Sequence, residues 1–124
     1  MLKLLWVGLG GFCGAVARYL VSGLFLRLSP IFPWGTFTVN VLGSFALGFL
    51  MTLVTETLLV SPAQRLFLAI GFLGSFTTFS TFVYETNALL EDGAFLAAFL
   101  NVTLSLFCGL LGIRLGAWLA RFLF

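Results

Sequence analysis

Residues 71–82 read GFLGSFTTFSTF, and this stretch decides the architecture that the sequence predicts. It lies in a run of 19 residues, Leu66 to Tyr84, without a charged side chain. A membrane helix needs roughly 20 mainly apolar residues, so this run is long enough to cross a bilayer.

Five of the seven positions 75–81 carry hydroxyls, and Gly71 and Gly74 precede them. Such hydroxyls often bond back to a carbonyl one turn earlier, which leaves the helix continuous. Glycines beside dense hydroxyls are also typical of a discontinuous helix, so we predict a crossing broken near its middle.

Similar apolar runs lie on both sides of this crossing. No charged residue occurs in the 28 positions of residues 28–55 or in the 21 positions of residues 93–113. In residues 4–26 the one charged residue is Arg18. Proline cannot continue a helix, so Pro30 and Pro33 separate the first run from the second. The sequence therefore predicts an all-α membrane protein with a single four-helix transmembrane domain, residues 1–124. The expected spans are residues 4–26, 35–55, 65–88 and 95–118.

Composition excludes several classes of protein. The 124-residue chain is 61% hydrophobic and 8% charged, with a mean hydropathy of +1.20. A soluble domain has about 25% charged residues, so a soluble monomer is excluded. Its six basic residues are scattered and its net charge is +2, which argues against a nucleic-acid partner. Without histidine, and with only Cys13 and Cys108, few acid–base or metal arrangements are available, so we expect no enzyme.

The N-terminal segment has a second interpretation. Lys3, the apolar run after it and the small residues Ala15-Val16-Ala17 resemble a signal peptide with its cleavage site. Glycines dilute that run at helix-packing spacing, so we favour a first transmembrane helix. Charges orient the four-span chain weakly, because four basic residues lie toward one side and two toward the other. The four are Lys3, Arg65, Arg114 and Arg121, and the two are Arg18 and Arg27.

Four tightly packed helices leave little room for a pore inside one subunit. A transport route would then run between subunits, and two glycine pairs are candidates for helix association. Gly10 and Gly14 on the first helix, and Gly112 and Gly116 on the fourth, have the small-xxx-small spacing of close helix contacts. Each pair fits packing within a subunit as well as packing between subunits. For the chain as a whole we expect a homo-oligomer.

Polar side chains recur every fourth residue on two of the helices, which places each set on one face. The second helix has Thr36, Asn40, Ser44 and Gly48, and the fourth has Asn101, Ser105 and Gly109. Polar groups within a membrane are functional candidates, although they also join helices by hydrogen bonds. A carboxamide has more hydrogen-bonding groups to satisfy than a hydroxyl, so function is favoured for the two asparagines.

Aromatic and ionisable side chains indicate whether a bound ligand would be an anion or a cation. Phe72, Phe76, Phe79 and Phe82 fall on one face of the third helix, at steps of four, three and three. Such a stripe usually packs in a core or against lipid. A phenyl ring also has a positive edge, so rings and hydroxyls together suit an anion better than a cation. Arg18 in the first span has three open roles: anchoring at a headgroup, pairing with Glu85 across helices, or attracting an anion into a vestibule.

These residues together resemble the bacterial Fluc (CrcB) fluoride channels. The resemblance runs along the whole chain, in order and with fitting length. Its most specific part is the third-helix motif of residues 71–82, followed by Glu85 and Asn87. The first-helix motif of residues 10–19 and the second-helix motif of residues 35–45 agree with it.

The resemblance implies a homodimer in a bacterial inner membrane, with subunits in opposite orientations and two fluoride pathways beside their interface. It implies a structural, non-transported Na⁺ held by the backbone carbonyls of Gly74 and Thr77 from both subunits. The expected fluoride pathway contains Phe79, Phe82, Asn40, Ser80, Thr81, Asn101 and Ser105. Arg18 and Glu85 match motif positions near the pore mouths or the interface. Some members have tyrosine where this chain has Asn101, and serine where it has Gly109, so the fourth-helix donor to fluoride stays open.

The function that this resemblance implies is passive export of cytoplasmic fluoride, with hydroxyls, amides and ring edges replacing the anion's water. Two other classes compete with it. A small multidrug exporter also has four helices, but it needs an acid in its first helix, where this chain has Arg18. A non-transporting scaffold subunit would need only the glycine faces and the polar contacts between helices.

Overall fold

The computed structural model describes residues 1–28 and 30–124. Within them, four helical stretches are long and apolar enough to cross a membrane, which confirms the predicted all-helical, four-span architecture. The first is α1 (Leu2–Leu24) and the second is α2 (Trp34–Glu56). The third stretch, Pro62–Glu91, consists of several pieces. The fourth is α6 (Phe95–Leu123).

The third stretch changes its helical geometry along its length. It begins with α3 (Pro62–Arg65), where Ser61 and Gln64 bond to each other's backbone amides and Pro62 takes the first helical position. A π-helical segment (Leu66–Leu73) follows. Next come the short α4 (Gly74–Phe76) and then α5 (Phe79–Glu91).

The backbone between α4 and α5 is extended. Thr77 has φ −81° and ψ 157°, and Thr78 has φ −149° and ψ 122°. Thr78 also caps α5, because its side-chain oxygen accepts a hydrogen bond from the Thr81 amide at 3.3 Å. Two non-helical residues therefore separate the two halves of the third stretch.

Glycines allow α1 to pack against the first half of the third stretch. A methyl group at Gly10 would collide with the Phe67 carbonyl oxygen, and one at Gly14 would collide with the Phe72 carbonyl. The Ser75 hydroxyl completes this contact, because it donates to the Gly11 carbonyl at 2.8 Å. The backbones of these elements are thus in direct contact within one subunit.

The second glycine pair has the same role between α2 and α6, which form the most extensive helix contact in the described part of the subunit. A methyl group at Gly116 would collide with the Phe45 carbonyl, and one at Gly48 would collide with the Ile113 carbonyl. Gly112 lies next to Val41 and Phe45 in the same contact. Both predicted glycine pairs therefore join helices of one subunit, and neither is left on an outer face for a second copy.

The predicted stripe of four phenylalanines is divided by the extended residues. Phe72 and Phe76 stack with ring centroids 5.8 Å apart and an interplanar angle of 11°. Phe76 is buried, whereas Phe79 is 77% exposed. The single-face prediction was wrong because two extended residues interrupt the helical rotation on which it depended.

Candidate functional site

The backbone at the interruption is held by Asn40 of α2. Its Nδ2 donates to the Thr78 carbonyl oxygen at 3.0 Å, and its Oδ1 accepts from the Thr78 amide at 2.8 Å. One carboxamide thereby satisfies both backbone groups of a residue that has left the helix. The Asn40 Nδ2 has a second hydrogen, so it can also donate to a ligand.

The interruption also removes the helical donors of two carbonyls. In a continuous helix the Thr78 amide would donate to the Gly74 carbonyl and the Thr81 amide to the Thr77 carbonyl. Here the Thr78 amide donates to Asn40, and the Thr81 amide donates to the Thr78 hydroxyl. A methyl group at Gly74 would have no neighbour closer than 3.9 Å, so the backbone is open on that side. Two carbonyls are therefore free to accept another partner.

A groove of about 330 Å³ runs beside the interruption and brings together many of the predicted residues. Its polar lining residues include Asn40, Ser44 and Ser105, and its aromatic lining residues are Phe79 and Phe82. The two ring centroids are 6.1 Å apart at an interplanar angle of 42°. Gly74, Thr77 and Thr78 complete the end of the groove at the interruption. The groove combines amide and hydroxyl donors with aromatic rings, which suits a small anion.

Asn101 lies apart from this groove. Its side chain is 1% exposed, and its Nδ2 donates to Thr86 Oγ1 of α5 at 2.9 Å. Ser105 reaches Asn101 Oδ1 at 3.5 Å, the limit of a hydrogen bond, and it also lines the groove. Of the two predicted α6 residues, only Ser105 is on the groove wall of the subunit.

Ser80 and Thr81 are exposed on the first turn of α5. Neither lines the groove of the single subunit. The Thr81 hydroxyl accepts from the Thr78 hydroxyl at 3.0 Å, which leaves its own hydrogen available. Exposed hydroxyls at mid-membrane need a polar or protein surface beside them, since lipid offers no partner.

Glu85 lies at a second and larger cavity of about 630 Å³, between the ends of α1, α2 and α5. Its Oε1 accepts from the Thr36 hydroxyl at 2.8 Å. Its Oε2 is the one buried side-chain oxygen without a hydrogen-bond partner among residues 1–28 and 30–124. Asp92 and Tyr84 line the same cavity.

Arg18 of α1 is half-buried and does not line that cavity. It makes no ion pair with Glu85, because the one ion pair of the described chain joins Arg121 to Glu56 at 2.7 Å. Two of the roles that the sequence leaves open for Arg18, a headgroup anchor and an anion attractor, stay predictions.

Thr86 was not among the residues predicted from the sequence. A threonine one residue after Glu85 in an apolar span is itself an intramembrane polar residue, and it could have been selected on that ground.

Comparison with known proteins identifies the same group along nearly the whole chain. Residues 5–117 match the family model described as CrcB-like protein, Camphor Resistance (CrcB). A protein of Chlorobaculum tepidum named Fluoride-specific ion channel FluC is 50% identical over 121 residues, covering 98% of this chain and 96% of its own. A protein of the same name from Geobacter sulfurreducens is 48% identical over 122 residues, covering 98% of both chains. A third, from Chlorobium chlorochromatii, is 48% identical over 120 residues, covering 97% and 93%.

These matches confirm the resemblance that the third-helix motif indicated. Four apolar spans and bacterial relatives make this a multi-pass bacterial membrane protein. A family match over 113 residues, 5–117, accounts for all four spans. The chain belongs to the CrcB-like family.

Proposed function

We propose that the protein is a fluoride-specific passive channel of the inner membrane that lets cytoplasmic fluoride leave the cell, and that it is not an enzyme. The observation that carries this proposal is the groove that is lined together by Phe79, Phe82, Asn40 and Ser105. Relatives that are about half identical over the full length bear the name of a fluoride-specific ion channel.

The groove addresses the main obstacle to moving fluoride, which is the loss of its water. An apolar route offers no replacement for that water, so a site needs donors arranged in advance. Asn40 has a free amide hydrogen, and Ser105 has a hydroxyl held only by a 3.5 Å contact. The positive edges of the rings also attract an anion, although they donate no conventional hydrogen bond to it. A narrow path with these groups favours fluoride over the larger chloride ion.

The proposed working unit is an antiparallel homodimer with two pathways. Phe79 is 77% exposed, and Ser80 and Thr81 are exposed beside it, so the pathway face of α5 has no cover in one subunit. A second copy of this chain would cover that face and give its hydroxyls a protein surface. The weak charge bias of the chain is compatible with insertion in both orientations.

A structural Na⁺ at the dimer interface is part of the proposal. The residues present fit such an ion, because the Gly74 and Thr77 carbonyls have lost their helical donors and Gly74 has open space beside it. Hard cations prefer oxygen ligands, and broken membrane helices provide carbonyls for them. When bound, the ion would supply fixed positive charge near the pathway. Arg18 and Glu85 are assigned to the vestibule or the interface.

Fluoride efflux from liposomes that contain the purified protein tests this function. We expect rapid fluoride efflux and no chloride efflux above that of empty liposomes. A small multidrug exporter would instead drive proton-coupled uptake of an organic cation. A scaffold subunit would move neither ion. Comparable fluxes of fluoride and chloride would refute the proposed substrate.

A further inference from the structure

The helix that carries the two rings packs lightly in its own subunit. Among the 13 described residues of α5, only Leu89 is buried. The apolar contact that α5 makes with the rest of the subunit is far smaller than the contact of α2 with α6. The position of α5, and with it that of Phe82, therefore depends strongly on side-chain hydrogen bonds to neighbouring helices.

Three sets of such bonds join α5 and its cap to neighbouring helices in the described chain. Two lead to α2, from Asn40 to Thr78 and from Thr36 to Glu85. The third leads to α6, where Asn101 Nδ2 donates to Thr86 Oγ1 at 2.9 Å. In the described chain, one part-buried side-chain hydrogen bond thus joins α5 to α6, in addition to the packing of the two helices and the short turn at residues 92–94.

This third contact continues to the backbone of a ring residue. The Thr86 hydroxyl donates its single hydrogen to the Phe82 carbonyl at 2.7 Å. Because that hydrogen is used, the hydroxyl can only accept from Asn101, which fixes the amide nitrogen toward Thr86. The amide oxygen of Asn101 then faces Ser105. The result is a directed line of hydrogen bonds from Ser105 to the Phe82 backbone, and both of these residues line the groove.

We propose that Asn101 and Thr86 are positioning residues that set the distance between Phe82 and Ser105 across the groove. This inference rests on the proposed function and assigns Asn101 a role away from the anion. Asn101 is 1% exposed and its amide is committed to Thr86, so Ser105 is the α6 residue that is available to fluoride. The long Ser105–Asn101 contact lets that hydroxyl turn to the groove with little loss.

The test compares fluoride efflux from liposomes for Thr86→Val, Asn101→Leu and the double variant. Valine has nearly the volume of threonine, and leucine has the branched shape of asparagine but is larger. We expect each single variant to slow efflux about fivefold, the equivalent of about 1 kcal/mol in the barrier. The double variant should be slowed about fivefold as well, because both changes break the same line. Thr86→Ser keeps the hydroxyl and should stay within about twofold of the original rate.

Thr103→Val is the matched control. Thr103 also donates to a carbonyl of its own helix, that of Phe99 at 2.8 Å, but among the described residues no other helix donates to its hydroxyl. We expect its efflux to be unchanged. Each variant is first checked for an unaltered elution volume and for being fully folded at the temperature of the assay. If Asn101→Leu does not fold, the inference is tested by comparing the efflux rate of Thr86→Val with the rates of Thr86→Ser and Thr103→Val.

Two results would overturn the inference while leaving the proposed function intact. The first is a double variant slowed about 25-fold, since multiplied effects mean that Asn101 acts independently of Thr86, for instance on the ion itself. The second is Thr86→Val behaving like Thr103→Val. Failure of the unaltered protein to pass fluoride would refute the proposed function instead.

Discussion

Replacing Asn40 with leucine should loosen the interruption of the third crossing. The substitution keeps the branched shape of the side chain, although leucine is larger, and removes both hydrogen bonds to Thr78, at 3.0 Å and 2.8 Å. The Thr78 amide then has no helical partner, because Thr78 is the extended residue that precedes α5. Leucine cannot provide a donor or an acceptor in their place.

The size of the effect follows from the two lost bonds. A hydrogen bond between membrane helices is worth about 0.6–2 kcal/mol, and an unpaired buried backbone group costs about 1–3 kcal/mol. Thr78 is half-buried, so values near the lower ends apply. We expect Asn40→Leu to lower the free energy of unfolding by about 2 kcal/mol and to speed exchange of the Thr78 amide hydrogen about 30-fold.

Two measurements check this expectation at a fixed protein concentration. Unfolding by a denaturing detergent, followed by tryptophan fluorescence, gives the stability change, and nuclear magnetic resonance gives the exchange rate of the Thr78 amide. Asn87→Leu is the matched control, because Asn87 is exposed and its side chain bonds, within the described part of the chain, only to Glu91 of its own helix at 2.9 Å. Equal stability of the two variants, with unchanged Thr78 exchange, would show that Asn40 does not hold the interruption.

Three further changes test other parts of the structure. Phe79→Ile or Phe82→Ile should abolish fluoride efflux while dimers still assemble, and unchanged efflux in both variants would remove the rings from the mechanism. Replacing sodium with a much larger organic cation should lower efflux or dimer stability, whereas no change in either would leave the carbonyls at the interruption without a metal. Gly14→Ala should destabilise the protein by about 1–3 kcal/mol because the methyl group collides with α4 and the segment before it. Gly8→Ala meets nothing within 4 Å and should stabilise by up to about 1 kcal/mol, so equal unfolding midpoints for the two alanines would contradict the packing argument.

The membrane spans could be predicted from the sequence because charge and hydropathy are local properties. The segment from Gly71 to Phe82 also indicated an irregular helix, since glycines and hydroxyls weaken a helix whatever its surroundings. In the structure Thr77 and Thr78 are extended at that place. Leu66–Leu73, which precede α4, are π-helical, and no residue pattern in the sequence indicated this.

Contacts between helices could not be predicted from the sequence, because they depend on which helix faces pack against each other. The spacing of Gly10 and Gly14 suited a partner inside or outside the subunit, and only the packing of α1 on Phe67 and Phe72 decides between them. Asn101 matched the polar track of α6 by spacing alone. Its burial against Thr86 depends on how far α6 is rotated toward α5, which one helix does not determine by itself.

The light packing of α5 has a consequence for the cell. In the proposed dimer the partner would complete the pathway, so a lone chain in the bilayer has one wall of the route facing hydrocarbon. Newly inserted chains that wait for a partner would then conduct nothing, and the membrane would not leak protons or metabolites during assembly. Opening the route and joining two chains would be a single event, and synthesis could run ahead of pairing without harm.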